Sequence, residues 1–313
     1  MASQPNTTAT TATNADTVSV TLGERTVRVP AGGLYDRYRM NPDLDEIAKD
    51  PRVSSVDFFR DLTKTRVDSP IGETWTPNFY YRISTARIGF LGKTSAARRR
   101  LPAELDPLEV APGLALGFVM FFRYDVADID FYCETAVGVA VRPARHGKVG
   151  VADLATGLGN NHLHAHVLSL PVTTDIAQVR GHDGYGFPKW VTDIDVDIDE
   201  NRVAAQVLND NGGNDLSLNA PTPRQRRYRS GEHVGSLTSY TRIDGNWHST
   251  LTQTNMLSGG VTTLPRGIDL TLGAGRVSDD VRSLGFLRPV QFEVATESQL
   301  ALHMPTPISV AAR

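Results

Sequence analysis

The stretch "GHDGYGFPKW", residues 181–190, sets a single lysine, Lys189, between Phe187-Pro188 and Trp190. Elsewhere this chain places positive charge almost entirely with arginine: its 32 basic residues are 27 Arg and 5 Lys. Lys49, Lys64, Lys93 and Lys148 stand in polar or turn-like stretches, whereas Lys189 is flanked by aromatic rings and a proline. A guanidinium stays charged under nearly any condition, but a lysine amine can become neutral and nucleophilic in an apolar setting. If charge alone were needed at this position, arginine would be the habitual choice. Two readings follow from these residues, a reactive amine or a snorkelling surface lysine.

Working outward, the text on both sides is that of strands. "NFYYRISTARIGFLG", "LALGFVMFFRYDV", "YCETAVGVAVRP", "HLHAHVLSLPV", "WVTDIDVDIDENRVAAQVL", "GSLTSYTRI", "GIDLTLG" and "PVQFEVATESQLALHM" are strand candidates separated by Gly, Pro or Asn turns. Between them "SAARRRLP" (95–102) and "TTDIAQVRG" (173–181) read as short helices. Many strands with few helices predict a mainly antiparallel β fold, a closed or sandwiched sheet with room for a buried site. The N-terminal part reads differently. Residues 1–16, Thr/Ala-rich, predict a disordered tail. Residues 17–33 alternate around Gly23-Glu24 as a hairpin. "NPDLDEIAKD" offers Asn41 as an N-cap with Pro42 first in the helix, and "SSVDFFRDLTK" offers Ser54 or Ser55. Residues 17–77 are thus expected to form an extension of hairpin and short helices packed on a main domain at 78–313.

Composition narrows the function classes. The chain has 313 residues, 40% of them hydrophobic and 21% charged, with a formal charge of −3. This is an ordinary globular balance, and it argues against nucleic acid as the main partner; "RQRRYR" (224–229) reads as a solvated loop face. The first residues have no basic n-region and no apolar core, and the longest apolar run, "GLALGFVMFF" (113–122), is too short to span a bilayer. No membrane partner and a cytoplasmic location are the expectation. Cys133 is the only cysteine, so no internal disulfide can form.

Other constellations stand beside Lys189 in the sequence. His162, His164 and His166 at period two share one strand face, a geometry open to zinc, but no neighbouring acid or cysteine completes a ligand set. A solvated or interface strand face accounts for them, and no metal or cofactor is expected. Asp193, Asp195, Asp197 and Asp199 alternate with Ile194, Val196 and Ile198, as in a half-buried strand with an acidic outer face. No complete phosphate-binding loop and no G-x-S-x-G occurs. Glu134 lies inside an otherwise apolar strand, "FYCETAVG", where alternation puts Tyr132 on its face. An internal strand carboxylate is costly unless partnered, and a reactive amine needs an acid/base neighbour.

Together these residues resemble the acetoacetate decarboxylase superfamily. Its signature, G-R-E-x-x-G-[FY]-P-K-K, is matched in spacing from Gly181 to Lys189, and its upstream Y-x-E by Tyr132-Cys133-Glu134. "SAARRRLPAELDPLEVAPG" (95–113) and the C-terminal strands extend the resemblance over about residues 78–313. It implies a closed, cone-shaped β-barrel with a central cavity and a few flanking helices, usually a homo-oligomer. It further implies that Lys189 forms a Schiff base with a ketone or aldehyde, with Glu134 in the same cavity as general acid/base. Arg82 and His182 are the candidates to hold an anionic or oxygenated group, and Tyr132, Phe187 and Trp190 to line the substrate site. The departures bear on the reaction. Trp190 stands where the family has a second lysine, His182 and Asp183 replace Arg and Glu, and "LGFVMFF" carries no carboxylate.

The leading reading is an imine-forming lyase acting on a keto acid or polyketide-like carbonyl compound, of a kind met in secondary metabolism. Decarboxylation and aldolase/dehydratase chemistry both remain open, since the imine is an electron sink for either. The alternatives are a non-catalytic small-molecule-binding barrel that keeps the lysine, and a metal-dependent hydrolase or lyase built on the histidine strand.

Overall fold

Alternating strands such as these have two faces to cover, and the architecture follows from how each is covered. The computed structural model describes residues 16–142 and 162–310, so the expected tail lies outside the described residues except for Asp16. A hairpin of β1 (Thr17–Leu22) and β2 (Arg25–Pro30) opens the chain, followed by α1 (Leu34–Tyr38), α2 (Leu44–Ile47) and α3 (Asp57–Arg60). β3 (Thr65–Val67) and β4 (Thr74–Thr76) pair with each other before the long β5 (Asn78–Lys93). Then come α4 (Thr94–Arg100), β6 (Glu109–Ala111), β7 (Leu114–Ala127), β8 (Tyr132–Ala140), β9 (His162–Ser169) and α5 (Asp175–Asp183). The last part holds β10 (Ile194–Ile198), β11 (Arg202–Leu208), β12 (Asn214–Pro221), β13 (Arg226–Arg227), β14 (Val234–Ile243), β15 (Asn246–Thr263), β16 (Asp269–Leu272), α6 (Arg276–Ser283), β17 (Arg288–Leu302) and β18 (Thr306–Pro307).

The main sheet runs β15-β14-β9-β8-β7-β5-β17 and closes because β17 pairs with both β5 and β15. The result is a seven-stranded barrel. It is mixed rather than wholly antiparallel, since β14 lies parallel to β9. The reason is connectivity: the chain from β9 to β14 passes through α5 and three strands of another sheet, and so long a crossover can return it in the same direction. That other sheet, β10-β11-β12-β16, is antiparallel and lies outside the barrel. Its inward residues Val196, Val203, Val207 and Leu216 share a core with Ile88, Phe90, Val119 and Phe121 from the barrel's outer surface. The acidic residues of β10 alternate outward, with Asp195 and Asp197 exposed and Ile194 and Val196 buried.

Covering the barrel from outside inverts the usual burial pattern. Along β7 the outward Val119 and Phe121 are fully buried, while the inward Phe118, Met120 and Phe122 are only half-buried. The interior is therefore the more open side of the strand, which suits a site there.

Residues 17–76 cover another flank. The hairpin's Val20, Leu22, Val27 and Val29 pack with Tyr80, Tyr124 and Tyr132, and Phe58 and Phe59 pack with Phe79 and Tyr81. The helix starts differ from the sequence reading. Asp43, not Asn41, caps α2 by accepting from the Asp45 amide. α3 begins at Asp57, whose amide donates to Ser55 Oγ from outside the helix. Lys64 also departs from expectation, being buried rather than set in a polar turn. Its Nζ donates to Asp128 Oδ2 at 2.5 Å and to the Met40 carbonyl. Asp128, 1% exposed, also accepts from the Phe79 amide and the Tyr81 hydroxyl, each at 2.7 Å. Burial lowers the Lys64 pKa and raises that of Asp128, each offset in part by the partner's charge.

Removing one partner of such a buried pair leaves an uncompensated charge. Lys64→Met is expected to cost about 3–5 kcal/mol in urea unfolding, and Asp128→Asn in the same chain to recover part of that loss. A Lys64→Met variant as stable as the parent would show that this pair does not pin the N-terminal layer to the barrel.

Candidate active site

β8 brings the first group. Its strict alternation turns Tyr132, Glu134 and Ala136 inward, opposite Tyr124, Phe122 and Met120 of β7. Cys133 points outward into the core beneath the second sheet, where burial pushes its thiol up to about 12 and leaves it no competing nucleophile. The second group arrives from the segment after α5. The Gly186 amide donates to the His182 carbonyl and the Phe187 amide to that of Gly181, which folds the chain back along the helix it has just left. Gly186 has φ +70°, and a Cβ there would lie 2.7 Å from the Arg242 carbonyl oxygen, so the turn requires glycine. Past it, the Leu170 amide donates to the Pro188 carbonyl and the Val172 amide to that of Trp190, which locks the backbone on either side of Lys189.

These two routes meet. Lys189 Nζ donates to Glu134 Oε2, and both side chains are only 7% exposed. The Tyr124 hydroxyl donates to the other carboxylate oxygen, Oε1, at 3.2 Å. Lys189 Nζ lies 5.8 Å from the centroid of the Tyr132 ring, and the Tyr132 hydroxyl donates to that of Tyr80 at 3.0 Å. Burial first, then the nearby Glu134 carboxylate, holds the Tyr124 phenol well above its ordinary pKa; the same two influences raise Tyr80. These phenols therefore remain protonated donors around one amine and one carboxylate. Such a pair can pass a proton from nitrogen to oxygen, freeing an amine lone pair with its acid already in place.

The other predicted residues divide. Phe187 is buried beside Ala136, Val167 and Tyr185, so it forms an apolar wall of the same interior. Trp190 does not. Its side chain packs against the outer core with the Arg276 guanidinium 5.3 Å from its ring centroid, because successive residues of an extended segment face opposite ways. Arg82 lies outside as well. Register irregularities around it break the alternation of β5, and it pairs with Glu297 at 3.2 Å on the flank where Ser54 also reaches Glu297. His182 is a surface residue bonded to Asp183, which in turn lies 3.6 Å from Arg25. The histidine strand faces outward too. His162 meets Ser236 and Thr238, His164 the Tyr240 hydroxyl and His166 the Tyr240 carbonyl. Among the described residues no cluster of His, Cys, Asp or Glu is arranged to hold a metal.

Two interior features escaped the sequence reading. Arg87 lies opposite the inward Met120 and pairs with Glu293 at 2.9 Å, a cation that alternation from Ile88 and Phe90 would have placed inside. Gly181 is the second. A Cβ on it would come within 2.3 Å of Lys189 Cδ and 2.4 Å of Cε, so the lysine runs across the bare face of this glycine. Gly181→Ala is expected to push the flexible lysine stem aside and leave the fold in place, lowering the rate of Lys189 modification by a carbonyl reagent without lowering the melting temperature. An unchanged rate would mean that the glycine does not set the amine's position.

The acetoacetate decarboxylase family model matches residues 69–299. No curated protein matches the sequence. Among solved structures, acetoacetate decarboxylase from Legionella pneumophila superposes with a TM-score of 0.51 at 14% identity, covering 74% of this chain and 87% of its own. A second acetoacetate decarboxylase gives 0.53 at 12% identity, covering 85% and 99%. The enduracididine biosynthesis enzyme MppR, complexed with pyruvate, gives 0.51 at 15%, covering 76% and 92%. The same enzyme also superposes when complexed with the condensation product of pyruvate and imidazole 4-carboxaldehyde. At these identities the likeness to solved structures is one of fold, whereas the family match spans most of the barrel and both segments that carry the site. The chain belongs to the acetoacetate decarboxylase family.

Proposed function

We propose that the protein is an imine-forming lyase acting on a keto acid or a related carbonyl compound, with Lys189 as nucleophile and Glu134 as general acid/base. The observation that carries this reading is the direct contact of a buried amine and a buried carboxylate inside the barrel, beside the apolar wall of Ala136, Val167 and Phe187. For attack, Nζ passes a proton along this contact to Glu134, and its freed lone pair adds to the substrate carbonyl carbon. Glu134 then protonates the carbinolamine oxygen, which leaves as water, and the imine forms. Protonated, that imine takes up the electrons of a breaking C–C bond to give an enamine and release carbon dioxide, or it loses an α-proton to the Glu134 carboxylate and the resulting enamine attacks a second carbonyl. Glu134 is the proton carrier in either direction, and the Tyr124 phenol holds it by donating to Oε1.

The family match supports imine chemistry, and the MppR complexes support a pyruvate-like partner and a condensation outcome. Among the described residues no second lysine pairs with the same carboxylate, and Trp190, which stands in the sequence where the family has one, turns outward in the fold. The inward residues of β7 facing the pair are Phe118, Met120 and Phe122, none of them an acid. Glu134 is the carboxylate in contact with the amine, while the interior acid Glu293 is paired with Arg87. That favours reactions whose steps use a single proton shuttle in turn, such as aldol condensation followed by loss of water.

Two variants test this. Borohydride with pyruvate or a small β-keto acid is expected to add one covalent mass at Lys189, and Lys189→Arg to abolish both labelling and turnover, because a guanidinium forms no imine. Labelling spread evenly over all lysines would sink the assignment, and labelling without turnover would point to a carbonyl-binding barrel. Glu134→Gln is expected to fold normally and slow turnover by about 10²–10⁴-fold; a normal rate would place the carboxylate outside the mechanism.

A further inference from the structure

Next to Gly181 on α5 sits Arg180, a guanidinium only 2% exposed. Its Nη1 donates to Thr74 Oγ1 at 3.1 Å. Its Nε and Nη2, and the Tyr185 hydroxyl, have no hydrogen-bond partner among the described residues. These groups are neighbours: the guanidinium lies within hydrogen-bonding reach of the Tyr185 phenol without an aligned bond to it, and its charge bears on that phenol and on that of Tyr80. The nearby carboxylates are committed elsewhere. Asp128 is held by Lys64, the Phe79 amide and Tyr81, and Glu134 by Lys189 and Tyr124. A buried guanidinium with no anion and two idle donors is costly, by more than an ordinary orphan amide.

The identity of the idle atoms says what would satisfy them. Nε–H and the adjacent Nη2–H point in parallel from one edge of the guanidinium, and their spacing matches the two oxygens of a carboxylate. The arginine and the amine share neighbours. Gly181, the next residue, touches the stem of Lys189. Tyr80 is bonded through its hydroxyl to Tyr132, whose ring faces Nζ. Tyr185 stacks on Phe187, with ring centroids 6.1 Å apart and planes 13° from parallel.

We propose that Arg180, with the Tyr185 hydroxyl beside it, is the anion-binding subsite of the barrel interior, and that it takes the carboxylate of a keto-acid substrate whose carbonyl is presented to Lys189. The carboxylate accepts from Nε and Nη2 side-on, while Thr74 keeps the far edge of the guanidinium in place. The choice of a keto acid rests on the imine reading above; the anion site itself does not. A neutral ketone would leave the arginine edge idle, so the subsite selects acids over their esters or amides.

The test uses oxamate, an isostere of pyruvate whose amide carbonyl forms no imine, titrated calorimetrically into the full-length protein. Oxamate is expected to bind the parent and to bind Arg180→Gln at least about tenfold more weakly, the loss of one charge-assisted pair. Arg180→Lys keeps the charge but loses the side-on fork, and is expected to weaken oxamate similarly with an unchanged melting temperature; it serves if the Gln variant does not fold. In borohydride trapping, both variants are expected to need about tenfold more pyruvate for half-labelling, with methyl pyruvate labelling unchanged. Equal oxamate affinity in parent and variants, no binding to the parent, or the same loss for pyruvate and its ester would overturn the proposal and leave Arg180 a structural residue. If oxamate binding depends on Arg180 but pyruvate never labels Lys189, the subsite stands and the imine reading fails.

Discussion

Lys189 and Glu134 hold each other in a place that neither could occupy alone. Either charge by itself inside an apolar barrel would be expelled or neutralised, and pairing is what makes the position tenable. Everything near the pair serves its alignment. β8 aims the carboxylate inward, the turn at Gly186 reverses the chain so that the lysine faces it, and Gly181 leaves the stem a clear path. The phenols of Tyr124, Tyr132 and Tyr80 complete the polar surroundings without adding another charge. Such a pair is weak as a source of stability and well suited to moving a proton.

The stability needed to support it comes from elsewhere. The second sheet buries the outer face of β5, β7 and β17 in a core that includes Val196, Val203, Phe121 and Phe292. On another flank the N-terminal hairpin and helices bury Tyr80, Phe79 and Tyr81, with Lys64 and Asp128 fixed between the layers. A barrel clad on its outside can leave its inside incompletely filled, since the hydrophobic burial that favours folding is already supplied by the outer faces. Phe118, Met120 and Phe122 are half-buried for that reason rather than through poor packing.

The departures from the family signature take on physical meaning in this setting. Trp190 packs outside with Arg276, so the side chain at this position adds a ring to the outer core rather than lining the interior. His182 and Asp183 fall at the exposed end of α5, where they pair with each other and with Arg25. Charge inside the barrel is contributed instead by residues outside the signature's named positions, among them Arg87 with Glu293 and, one place before Gly181, Arg180.

Much of this could be read from the residues in order. Alternation in "YCETAVG" put Tyr132 and Glu134 on one face, and the aromatic flanks of Lys189 marked it out, because period-two patterning and local composition are properties of a few adjacent residues. The strands, and the helices at "SAARRRLP" and "TTDIAQVRG", were legible for the same reason. What the sequence could not say was which strands leave the barrel to form a second sheet, or that β9 and β14 run parallel, since both depend on pairing between distant segments. Arg82, His182 and Trp190 were misplaced on similar grounds. A register irregularity, a helix end and a reversal of face each decide a side chain's direction, and none is written in its neighbours. The sequence by itself determined the family, the strand faces and the reactive lysine's candidacy. Only the tertiary structure brought Glu134 into contact with that lysine and left Arg180 Nε and Nη2 buried without a partner, because contact across 55 or more residues is settled by how layers close and not by local preference.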